Sequence, residues 1–139
     1  MRVMKSIFIA TLCSASCSVA FAAGNACPAV GDISQKIEGN IIKYSANANG
    51  SSWKGSANMD YGATDALLKS LVFTAARFMG SGKDAKVICQ YEGGSGGGVS
   101  MVQRNAGHVT GDNWKVVNRT TWDCETKGSP QSCTFEMKP

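Results

Sequence analysis

Long apolar runs, histidine and net charge are what this chain has least of. Past residue 22, the longest candidate for a membrane span covers residues 67–79, and Lys69, Ser70, Thr74 and Arg77 interrupt it. A bilayer demands roughly 20 consecutive apolar residues, so no span is expected after that point. Histidine occurs once, at His108, which falls short of a histidine-based metal centre. Of the 14 Lys and Arg, Arg2 and Lys5 lie within the first 22 residues, leaving 12 against 10 Asp and Glu, a balance of +2. That near-balance argues against the basic stripe with which a protein neutralises a run of phosphates, so nucleic acid is not an expected partner.

What is present begins with an address. Arg2 and Lys5 give a positive start, an apolar stretch runs from Ile7 to Phe21, and Ala20, Phe21 and Ala22 offer small residues at the cleavage positions. This is the pattern of a secretory signal peptide over residues 1–22. A lipid-bearing Cys17 is the lesser alternative, because Ser14, Ala15 and Ser16 lack the large aliphatic residue such signals carry three positions upstream. Cleavage leaves residues 23–139, the size of one domain, and predicts a soluble product, periplasmic or secreted. It also removes Cys13 and Cys17, leaving Cys27, Cys89, Cys124 and Cys133 in a compartment where disulfides persist.

Along the remaining chain the dominant signal is two-residue alternation. Residues 40–48 read as a strand with Ile42, Tyr44 and Ala46 on one face and Ile41, Lys43 and Ser45 on the other. Asn49-Gly50 is the signature of a tight hairpin turn, and residues 51–59 return with Trp53 as their large apolar residue. Residues 64–79 are open to two readings: a helix capped by Asp65 with Leu67, Leu68, Leu71, Val72, Ala75 and Ala76 at intervals of three and four, or a strand paired across the 80–84 turn with residues 86–91. Gly93, Gly94, Ser95, Gly96, Gly97 and Gly98 predict a mobile loop tip. Val99, Met101 and Gln103 alternate in a further strand, residues 105–113 read as a polar connection, and residues 114–122 read as one strand with Trp114, Val116 and Asn118 on a face. Residues 128–130 form a turn between Cys124 and Cys133. No internal repeat is present.

Four cysteines permit three pairings, and all three stay open to the sequence. The Gly128-Ser129-Pro130 turn makes a local Cys124–Cys133 loop geometrically easy, which would leave Cys27 with Cys89. A four-thiolate zinc site is disfavoured, since spacings of 62, 35 and 9 lack the close pairs such sites use.

Several of these residues together carry a resemblance: the opening Cys27-Pro28, Trp53 after a hairpin, the run Lys86-Val87-Ile88-Cys89-Gln90-Tyr91-Glu92-Gly93, the late Trp114, and Cys124 followed by Cys133-Thr134-Phe135. The chain resembles a bacterial family of small exported proteins of unknown function found in the Legionella and Coxiella group. It departs from that pattern where members close with Cys-Pro-Phe, and in an enlarged glycine-rich segment. The resemblance implies that residues 69–78 form the hairpin partner of the Cys89 strand. It supplies no catalytic residue.

Chemistry-bearing constellations are sparse. His108 with Asp112 could serve a nucleophile or a metal, but no Gly-x-Ser-x-Gly elbow exists, and two loosely spaced ligands do not make a zinc site. The glycine segment lacks the Lys and Ser/Thr of a phosphate-binding loop. Asn49-Gly50-Ser51 and Asn118-Arg119-Thr120 match the glycosylation pattern but read better as turn and strand. Asp60, Asp65, Glu92 and Asp112 are ordinary loop carboxylates unless the fold gathers them, as glycoside hydrolysis would need. Trp53, Trp114, Trp122, Tyr44 and Tyr91 would build a core, or a recognition surface where any faces outward.

The expectation is therefore a mainly β protein, a small antiparallel sandwich or half-barrel with at most one short helix and two disulfides. It is expected to act as a non-enzymatic exported binding protein for a protein or glycan partner, without cofactor or metal, making contact through residues 93–98. The alternative is an inhibitor of a hydrolase such as lysozyme or a protease.

Overall fold

The computed structural model describes residues 24–58, 65–94 and 97–139. The segment read as an export signal, with Cys13 and Cys17, lies outside the described residues. Among the described residues, ten strands and one α-helix follow in order: β1 Ser34–Glu38, β2 Ile41–Ala48, β3 Ser51–Asn58, α1 Asp65–Ser70, β4 Val72–Met79, β5 Lys86–Glu92, β6 Gly98–Gln103, β7 Ala106–Val109, β8 Lys115–Asn118, β9 Thr121–Glu125 and β10 Phe135–Met137. Eight strands form one antiparallel sheet in the order β1-β2-β3-β6-β5-β4-β9-β8, and β10 pairs with β7 in a second, two-stranded ribbon. Asn25 bridges to Phe135, whose N–H donates to the Asn25 carbonyl at 2.9 Å, so the N-terminal segment joins that ribbon.

The alternation seen in the sequence builds the core. Ile42, Tyr44 and Ala46 from β2, Trp53 from β3, Val99 and Met101 from β6, and Val87, Cys89 and Tyr91 from β5 are all buried. The β2–β3 hairpin closes through Asn49 and Gly50, both at positive φ (52° and 74°), the backbone that this tight turn requires. On β4 a bulge between Phe73 and Ala75 shifts the inward set to Phe73, Ala76 and Phe78. Edge-to-face contacts of Trp53 with Phe135, Phe73 with Tyr91 and Phe78 with Trp122, at centroid separations of 5.9, 5.7 and 5.6 Å, complete the packing.

One transverse row of the sheet organises the rest. Met101, Cys89, Ala76 and Cys124 are successive partners across β6, β5, β4 and β9, so all four share the inner face. Cys89 is bonded to Cys27 and Cys124 to Cys133, each pair with Cα atoms 5.8 Å apart. Cys27 lies two residues beyond the Asn25 bridge and Cys133 two before Phe135, so both disulfides tie the ribbon layer to the same row. Tyr91 adds a parallel tether, its hydroxyl donating to the Pro28 carbonyl at 2.6 Å; burial and the nearby Asp32 push its phenol upward in pKa, which keeps it a donor. Thr134 completes the layer: its carbonyl accepts from the Thr110 N–H at 2.9 Å and from Trp114 Nε1 at 2.8 Å.

Three expectations are corrected. Residues 64–79 are neither all helix nor all strand: α1 ends at Ser70 and β4 begins at Val72, so Lys69 and Ser70 belong to the helix, while Thr64 lies outside the described residues. The polar connection at 105–113 contains β7, whose Ala106 is fully buried against the sheet; its Ala-Gly-His-Val sequence has little strand character, and only the distant β10 makes it one. Residues 114–122 are a hairpin rather than one strand, because the Asn118 side chain accepts from the Thr120 N–H at 3.0 Å and reverses the chain over Arg119 and Thr120. The resulting β8 is an open sheet edge, exposed along its whole length, with Val116 and Val117 to solvent between Lys115 and Arg119.

The two disulfides close loops of very different length, with separations of 62 and 9 residues. On the chain-entropy account, replacing Cys27 and Cys89 by Ala destabilises the fold by about 4 kcal/mol, and replacing Cys124 and Cys133 by about 2.5 kcal/mol. Urea unfolding midpoints of the two double variants check this order, and a larger loss for the short loop would contradict it.

Candidate functional site

The inner face is filled by the core, so any docking surface has to be built from what the strands turn outward. Opposite the core the alternation places Lys43 and Ser45 on β2, then Ser52, Lys54 and Ser56 on β3. In register, Lys36 faces Lys43, Lys43 faces Ser56, Ser45 faces Lys54, and Lys54 faces Val102. Long cationic side chains thus stand beside small hydroxyls. The difference in length leaves an open groove of about 1010 Å³, whose lining also includes Ser100 and Arg104.

The charges in this groove are only partly compensated. Lys36 and Lys43 are direct cross-strand partners, an arrangement that like charges destabilise. Glu38 relieves it by binding both, with Oε1 3.2 Å from Lys36 Nζ and Oε2 hydrogen-bonded to Lys43 Nζ. The Lys43 hydrogen bond, with a second from Lys36, holds the Glu38 carboxyl below its ordinary value. Among the described residues no carboxylate ion-pairs with Lys54 or Arg104. Four cations against one carboxylate give the groove +3, more than the +2 of residues 23–139 as a whole.

Further along the same outer face the Lys54–Val102 row continues through Ile88 and Arg77 to Asp123. Arg77 and Asp123 form a two-pronged ion pair, Nε to Oδ1 at 2.6 Å and Nη2 to Oδ2 at 2.7 Å. These bonds lower the Asp123 carboxyl and raise the Arg77 guanidinium, so both stay charged over a wide pH range.

The residues singled out from sequence are dispersed. In the glycine segment, Gly93 and Gly97 lie where a side chain would run into Leu67 of α1, the Gly94 N–H donates to Ser70 Oγ at 2.9 Å, and the Gly93 N–H donates to the Gly97 carbonyl at 2.8 Å. Those glycines let the loop pack on the helix; Ser95 and Gly96 lie outside the described residues. His108 pairs across the ribbon with Glu136, Nε2 to Oε2 at 3.4 Å, so Glu136 rather than Asp112 is its carboxylate neighbour. Asp65 accepts from Gln35 Nε2 at 2.8 Å, Glu92 ends β5, Asp112 follows β7, and Asp60 lies outside the described residues. Among the described residues no three His, Cys, Asp or Glu side chains are grouped to hold a metal. Of the five aromatics, Trp53, Tyr44 and Tyr91 are buried, and Trp114 and Trp122 are half-buried. None is fully exposed.

Lys36, Lys54 and Arg104 drew no attention in the sequence, because each reads there as a solvated charge on a strand or turn. The available signal was compositional: every outward position from Ser52 to Ser56 is Ser or Lys, with none of the acidic residues that usually balance such a face.

The Arg77–Asp123 pair fixes one pH dependence. A carboxyl held low in the folded state contributes stability above the unfolded carboxylate range and loses it as pH falls through the folded value. Relative to Asp123→Asn, the natural chain should be more stable by about 0.5 kcal/mol at neutral pH, discounted for partial exposure. The difference should vanish in acid. Paired denaturant titrations across pH check this, and a pH-independent difference would refute it.

The two disulfides belong to an oxidising, extracytoplasmic environment. No helix among the described residues is long and apolar enough to cross a membrane. No curated protein and no solved structure matches the chain. Residues 22–136, a span that holds all four bonded cysteines and the whole groove, match the family described as protein of unknown function, DUF3757, and the chain belongs to that family.

Proposed function

We propose that this chain is a non-enzymatic binding protein of bacterial origin, exported to the periplasm, the cell surface or the medium, and that it docks its ligand on the outer face of β1, β2, β3 and β6. The observation that carries this reading is the groove itself, a concave surface of hydroxyls and incompletely paired cations on otherwise regular strands. Packing among the described residues does not account for this charge imbalance, since Lys43, Ser45, Ser52, Lys54 and Ser56 are all exposed. Export is supported by the apolar N-terminal segment and by the disulfides. A purely binding role is supported by the placement of His108, paired with Glu136 on the β7–β10 ribbon and not among the residues that line the groove.

Hydrogen exchange on the oxidised chain, with and without fractionated cell-envelope polymers, should show ligand protection concentrated at residues 43–45, 52–56 and 100–104. Protection confined to residues 93–98 would move the contact to the glycine loop. Ligand turnover that disappears in His108→Ala would replace binding by catalysis.

A further inference from the structure

We propose that the groove binds an anionic glycan, a sugar chain bearing carboxylate or phosphate groups. The inference rests on the docking face proposed above and names its ligand chemistry.

Charge complementarity sets the sign. The groove concentrates +3, while the remaining residues of 23–139 carry eight cations against nine anions, a slight negative excess. Positive charge has therefore been gathered onto this one face. Within the groove the cations differ in availability. Lys36 and Lys43 are held by Glu38, whereas Lys54 and Arg104 have no carboxylate partner among the described residues. An arriving oxyanion meets two prepared partners, Lys54 as a point charge and Arg104 as a planar fork suited to two oxygens at once.

The hydroxyls specify the rest of the ligand. Ser45 stands opposite Lys54 and Ser56 opposite Lys43, so each cation sits beside a group that both donates and accepts hydrogen bonds. That alternation matches a polymer whose own hydroxyls and anionic groups alternate along its length. An extended peptide is a poorer fit, because it adds to a sheet edge through unpaired backbone groups; the edge here is β1, whereas Lys54 lies on β3 and Arg104 follows β6, in the interior of the sheet. The lining also lacks the apolar pockets that anchor peptide side chains, with Val102 its principal outward apolar residue. Single-stranded nucleic acid requires aromatic platforms for its bases, and Tyr44, the one aromatic among the lining residues, is buried. The same lack of an aromatic face disfavours neutral sugars.

The test uses the chain with both disulfides formed and four fluorescent probes: oligogalacturonate, a phosphate-bearing mannan, neutral dextran and polyglutamate. Fluorescence anisotropy should show saturable binding of at least one anionic glycan, weakening steeply as salt rises; which of the first two binds identifies the anion. Lys54→Ala and Arg104→Ala should each weaken it about tenfold. Glu38→Gln should tighten it by removing the one competing carboxylate among the described groove residues, and Lys115→Ala on the far edge should leave it unchanged. Equal affinity for dextran or polyglutamate would overturn the ligand class, as would failure of both anionic glycans to bind or indifference to Lys54→Ala and Arg104→Ala. If hydrogen exchange still locates another envelope polymer in the groove, only the ligand chemistry has failed; if no polymer protects that face, the docking reading has failed with it.

Discussion

Cys89 and Cys124 stand in one transverse row of the large sheet with Ala76 between them, and each reaches across to a different part of the covering ribbon. The ribbon on its own could not stay in place. It consists of a four-residue strand, a three-residue strand and one bridge from Asn25, and so few backbone pairs are marginal in water. Bolting it to the sheet at two adjacent points turns it into the second layer of a sandwich, and Phe135 can then close on Trp53 in the core. Ala76 suits its position for the same reason, since its small side chain leaves height for the two cystines on either side.

Because the core buries the inner face of β2, β3, β6 and β5, their outer face is released from any duty in packing. On β2 and β3 the two faces are populated by opposite chemistries: Tyr44, Ala46 and Trp53 within, and Lys43, Ser45, Lys54 and Ser56 without. The disulfides lie on the inward side and the groove on the outward side. Strands β1, β2 and β3 carry no cystine at all, so the surface assigned to ligand is held by hydrogen bonding and burial, with β6 joining it to the stapled half of the sheet.

Much of the sheet was legible from local pattern. Asn49-Gly50 with flanking alternation fixed the β2–β3 hairpin, and the isolation of Cys124 and Cys133 around a Gly-Ser-Pro turn made their pairing easy to picture. What stayed hidden depends on distant partners or on side-chain detail. Ala106 to Val109 becomes a strand only because Phe135 to Met137 lies beside it, 26 to 31 residues away in the chain. The Arg119-Thr120 turn rests on a bond from the Asn118 side chain, which a strand reading of the same residues conceals. The groove was hidden for a third reason: its charges come from four elements, and only cross-strand register brings Lys36, Lys43, Lys54 and Arg104 onto one surface.

At the opposite end of the sheet β8 leaves its outer backbone groups unpaired, with Val116 70% and Val117 54% exposed. Such an edge is a template for another copy of the same strand, and the cations Lys115 and Arg119 are the residue types that guard against it by mutual repulsion. Ionic strength therefore acts at both ends of the sheet at once. Electrolyte that screens the groove from an anionic ligand also disarms the guards on β8, so the conditions that empty this protein are those in which it is least protected from itself.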